Sequence, residues 1–78
     1  MFIVITEKEV VLSKRDYQSF AEIRNDFYNL VSWQGPLSAE DLITFLETEY
    51  GDLAPSGTEL VEGLIHSEHF EIVVKTLN

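Results

Sequence analysis

The chain has 78 residues, 45% of them hydrophobic, no cysteine, and a formal net charge of −9 from fourteen acids against five bases. That length suits one small core and a single domain over residues 1–78, and the apolar content is too high for an acidic disordered tail. Without cysteines there is no disulfide framework or thiolate metal site, and the charge repels nucleic acid and anionic membrane while steering the chain toward cationic surfaces.

The opening run Phe2 to Thr6 is β-branched and aromatic, and Val10 to Leu12 is a second such run, with the polar Glu7, Lys8 and Glu9 between them. A hairpin or two short strands are expected. The same charged interruption comes too early for a signal peptide or a membrane span, which points to a soluble protein of the cytoplasm. Next, "LSKRDY" and "LSAEDL" share a helix-start pattern, with Ser13 and Ser38 as N-caps, an aspartate at the third helical position, and Leu12/Tyr17 and Leu37/Leu42 as hydrophobic staples. A third start, "PSGTEL", offers Ser56 as N-cap and Glu59 to complete a capping box. The stops are expected at Gly35–Pro36 for the first helix, at Gly51 for the second and near Ser67 for the third.

From His69 to Leu77 the pattern changes to alternation, with Phe70, Ile72 and Val74 on one face and His69, Glu71 and Lys75 mostly on the other. This reads as a strand that pairs with the N-terminal ones. The expected architecture is α+β, a small antiparallel sheet of N- and C-terminal strands packed against three helices, in the order ββαααβ.

The helices and closing strand resemble a winged-helix domain, with "PLSAEDLITFLETEYG" as the first helix of a helix-turn-helix and "SGTELVEGLIHS" as its recognition helix. The resemblance covers about the last two-thirds of the chain and implies a nucleic-acid-associated regulator. Its chemistry departs from that family, because a recognition helix presents Arg, Lys, Asn or Gln to DNA, whereas this one presents Glu59, Glu62 and His66.

Helical projection gives the third helix an apolar stripe of Leu60, Val61, Leu64 and Ile65, and the second an arc of Leu42, Ile43, Phe45, Leu46 and Tyr50. Glu49 falls inside the second arc. The first helix shows a very broad apolar face, Phe20, Ile23, Phe27, Leu30 and Val31, with Arg24 inside it. Arg24 and Glu49 are therefore expected to meet as a structural ion pair, or else to lie at the edges of their helices.

The strongest functional signal is the run from Asn25 to Val74, which holds Asp26, Glu40, Asp41, Glu47, Glu49, Asp52, Glu59, Glu62, Glu68 and Glu71 with no Lys or Arg. Neighbouring positions on a helix stand about 5–6 Å apart, so Glu59 and Glu62 match the spacing of phosphates along a nucleic-acid strand. Glu40, Asp41 and Glu47 extend the same surface. Carboxylates without interleaved lysines forgo helix ion pairs and cost stability, and that cost points to docking on an Arg/Lys-rich groove; solubility is the competing explanation. Trp33 either seals the core or stands as an apolar anchor for a partner. Gly63, on an outer helix face, costs about 1 kcal/mol relative to Ala.

Glu62, His66 and His69 have a spacing that could hold zinc, but a histidine near a helix C-terminus is explained by the dipole, and neither a metal nor a cofactor is expected. There is no Gly-rich phosphate loop, no G-x-S-x-G elbow and no cysteine nucleophile, so no enzyme is expected. The sequence points to a small acidic inhibitor that blocks a basic, nucleic-acid-binding surface of a protein partner, in the manner of phage anti-defence, immunity or antitoxin proteins. The alternatives are a structural or oligomerising subunit, including a homodimer through the sheet edge or first helix, and a winged-helix-like nucleic-acid regulator.

Overall fold

Two apolar runs at the start of the chain become β1 (Phe2–Thr6) and β2 (Glu9–Ser13), an antiparallel hairpin that sets Ile3 opposite Leu12 and Val4 opposite Val11. Thr6 closes its turn. The hydroxyl accepts from the N–H groups of Lys8 and Glu9 and donates to the Glu9 carbonyl, supplying locally what a glycine turn would otherwise provide. The computed structural model describes residues 1–52 and 56–77. Within it the hairpin forms the centre of a four-stranded antiparallel sheet of order β3-β1-β2-β4. The edges are β3 (Leu30–Gln34), paired with β1, and β4 (Glu71–Thr76), paired with β2.

Both faces of the hairpin are covered, which is why its strands read as nearly continuous apolar runs. On one face Ile3, Val10 and Leu12 meet Leu42 and Leu46 of α2 (Ala39–Glu49) and Val61 and Leu64 of α3 (Gly57–His66). On the other, Phe2, Val4 and Val11 meet Ile23 of α1 (Phe20–Asp26), with Tyr17, Phe27 and Leu30 packed around them. The α+β class expected from the sequence holds, with three helices and strands from both ends of the chain in one sheet.

The first helix differs from expectation. Ser13 is not its cap: it ends β2, buried, and its hydroxyl accepts from the N–H of Arg15. The cap is Ser19, which accepts from the N–H of Glu22, while the Glu22 carboxylate reaches back to the N–H of Gln18. That is a capping-box-like exchange, with its return bond on the residue before the cap, and it starts six residues later than expected. The helix stops at Asp26 and the chain returns as β3, so the order becomes ββαβααβ. An apolar face too broad for one helix was a helical stripe running into a strand, and the β-forming Leu30, Val31 and Trp33 belong to the strand.

Gly35, expected to end a helix, instead turns the chain out of β3. Its φ of +150° lies where side chains are strained, and a Cβ there would clash with the Phe2 ring. The caps of the other two helices are as expected: Ser38 accepts from the Asp41 N–H and Ser56 from the Glu59 N–H. Pro55, which precedes that second cap in "PSGTEL", lies outside the described residues. Gly57 lets α3 approach α2, since a Cβ there would fall 2.9 Å from Cβ of Leu46. Lys14, on the chain leaving β2, donates from Nζ to the carbonyls of Leu64 and Ser67 at the end of α3. In β4, Ile72 and Val74 pack on the core of α2 and α3, whereas Phe70 stays exposed beneath the Arg15 guanidinium, 4.8 Å from its ring centre. Among the described residues no helix is long and apolar enough to cross a membrane.

Candidate protein-binding surface

α2 and α3 bury one stripe each against the sheet, so their outer sides are fixed relative to one another and to the core. Glu40, Asp41 and Glu47 of α2 and Glu59 and Glu62 of α3 are all exposed. Three have a local reason to be where they are: Glu40, Asp41 and Glu59 lie in first turns, where the helix dipole favours negative charge. Glu47 accepts a hydrogen bond from the Thr58 hydroxyl at 3.1 Å, a strut between the end of α2 and the start of α3. Glu62 has neither. No residue in the last turn of α2 is basic, and among the described residues none of the five carboxylates takes part in an ion pair.

Most of the bases have partners other than these carboxylates. Lys14 caps α3, Arg15 lies 3.7 Å from Asp26 and over Phe70, and Lys75 stands over the Tyr50 ring at 5.7 Å. The expected pair of Arg24 with Glu49 does not form. Both are exposed, and the ion pair among the described residues is Arg15–Asp26. The reason is that α1 packs on the face of the sheet opposite α2, through Ile23, so the surface beside Arg24 is open rather than apposed to α2.

Trp33 does not join the acidic helices. It lies opposite Val4 on the edge strand β3 and packs at 6.0 Å from Phe2 and 6.4 Å from Phe20, on the sheet face away from α2 and α3. Glu62, His66 and His69 are all exposed, and among the described residues no three His, Cys, Asp or Glu side chains gather closely enough to hold a metal ion. Around Gly63 the surface is open, with nothing within 4 Å of where a Cβ would be.

A second polar constellation had no signature in the sequence. Tyr17 donates its hydroxyl to Asp26 at 2.8 Å, on a shallow cleft of about 430 Å³ that Arg15, Asp16, Glu22, Asn25 and Phe70 complete. Burial pushes the Tyr17 hydroxyl up to about 12; the hydrogen bond with Ser13 opposes this, while the bond and charge of Asp26 and the charge of Glu71 add to it. Tyr17 is a proton donor held in place rather than a base, and its ring packs edge-on against Phe2 at 5.3 Å.

Comparison of the chain with protein-family models, curated proteins and solved structures finds no match in any of the three.

Proposed function

We propose that this protein is a small acidic binding module that inhibits a partner protein by occupying its basic, nucleic-acid-binding surface. One observation carries the reading: two helices locked together by Gly57 and by the Thr58–Glu47 bond present exposed carboxylates that no cation of the described chain neutralises. A partner rich in Arg and Lys supplies the missing charge, speeds encounter through long-range attraction and is blocked sterically once docked. Glu62 is the centre of the reading because, among the described residues, no helix-end position, hydrogen bond or ion pair accounts for it. Inhibitors of this kind, such as phage anti-defence, immunity and antitoxin proteins, need no cofactor and no catalytic residue.

The test is capture of a partner from lysate at low and high salt, followed by competition of the purified partner against its nucleic acid. Wild-type protein is expected to displace the nucleic acid at low salt and to lose that ability as salt rises. A variant carrying E40Q, D41N, E47Q, E59Q and E62Q is expected to lose it at all salt concentrations. Retention of inhibition by that folded variant, or direct binding of DNA by the wild type in a low-salt shift assay, would overturn the reading.

A further inference from the structure

From Phe27 to Ala39 the chain carries no charge at all, in a protein whose net charge is −9. This stretch contains β3, an edge strand with one side of its backbone unpaired among the described residues. Edge strands in natural proteins are guarded against further pairing by charges, proline or bulges. β4 has such guards, with Glu71 and Lys75 in the strand and a register shift opposite Val10 and Val11. β3 has a shift only at its start, opposite Ile5 and Thr6; Ser32, Trp33 and Gln34 run in regular register with Ile5, Val4 and Ile3. Two of its side chains, Val31 and Trp33, are also apolar and open. Val31 is 63% exposed and Trp33 38%, and Phe20, stacked beside Trp33, is 50% exposed.

We infer that the free edge of β3 is where a second copy of this chain docks, strand beside strand, joining two four-stranded sheets into one and covering Val31, Trp33 and Phe20. Charge selects this occupant. A basic partner gains nothing from an uncharged strip and finds its complement on α2 and α3, on the other face of the sheet. For two copies, each at −9, the uncharged strip is where they can approach with the least repulsion. A strand of five residues spans only about 17 Å, and a stable interface covers about 800 Å² on each partner. The contact is therefore weak and dependent on concentration. It leaves α2 and α3 free, so it is independent of the proposed inhibitory surface.

The salt dependence separates the two. Docking on a basic partner weakens as salt rises, whereas pairing of two anionic copies strengthens because their repulsion is screened. Sedimentation velocity is run from micromolar to millimolar protein at low and high NaCl. The expected result is a weight-average mass that climbs from 8.9 kDa toward twice that value with concentration, and climbs further at high salt. V31E and V31K, at a position that is mostly outside the core, should keep the circular dichroism spectrum of the wild type and stay monomeric, whichever sign of charge is introduced. E59Q/E62Q, on α3, should dimerise at least as well as the wild type. A single 8.9 kDa species at every concentration and salt overturns the inference, and so does a dimer that survives both Val31 variants.

Discussion

At the scale of single residues, long-range hydrogen bonds carry more structural weight here than ion pairs. The Arg15–Asp26 contact is long, at 3.7 Å, and both side chains are nearly half exposed, so it contributes little. Lys14 differs: its ammonium satisfies two carbonyls at the end of α3 from fifty positions away, where unpaired C=O groups and the negative end of the dipole coincide. Lys14→Met keeps the apolar stem and removes those bonds, and is expected to lower stability by about 1–2 kcal/mol, read from urea unfolding. Tyr17 adds an alkaline pH dependence to stability. Its folded value of about 12 against an ordinary 10.0 means that the protonated hydroxyl is favoured in the fold. That contribution is intact below pH 10.0 and is lost as pH rises toward 12, because the unfolded chain gives up the proton first. Tyr17→Phe, lacking the proton, is expected to show a shallower fall in stability than the wild type over that window. Identical slopes would show that Tyr17 ionises without regard to folding.

At the scale of elements, legibility followed how local the determining physics was. α2 and α3 were readable because Ser38 and Ser56 cap in place and because Leu42, Leu46, Val61 and Leu64 repeat at helical spacing. The hairpin was readable from composition alone. α1 and β3 were misread together, because Ser13 and Asp16 imitate a helix start and the apolar residues from Phe20 to Val31 fit a helix as well as a strand. What decides between them is the pairing of β3 with β1, and a non-local partner leaves no periodic mark. The misreading displaced Arg24 and Trp33, the two candidates that depended on that helix, while the five carboxylates kept the exposure expected of them. Two substitutions test the elements as built. Ile23→Ala removes the one buried side chain of α1, and a loss of about 2–5 kcal/mol is expected, seen as a lowered urea midpoint. Gly63→Ala, whose Cβ enters open space in the middle of α3, is expected to stabilise by up to about 1 kcal/mol. If a partner's backbone lies against that position, the same variant gains stability and loses affinity, a split that separates packing from binding.

At the scale of the whole molecule, the distribution of charge should be visible in stability without any partner. The acids of α2 and α3 face solvent and form no ion pair among the described residues, and the five bases of the chain are too few to offset fourteen acids. Folding brings these carboxylates closer than they are in the expanded chain, so repulsion among them opposes the compact state. Salt removes that repulsion and has little to take away in exchange, since the ion pair among the described residues is half exposed and long. Raising NaCl from about 0.01 M to about 0.5 M shortens the screening length from about 30 Å to below 10 Å. If screening recovers about 1 kcal/mol, the melting temperature of a domain this size rises by about 4–8 °C. The variant E59Q/E62Q should begin with a higher melting temperature at low salt and respond less to added NaCl. This measurement bears on function because the cost of unpaired charge is the physical reason for assigning the surface a use. A melting temperature independent of salt would mean that the carboxylates are held apart at no cost, and solubility alone would then account for them.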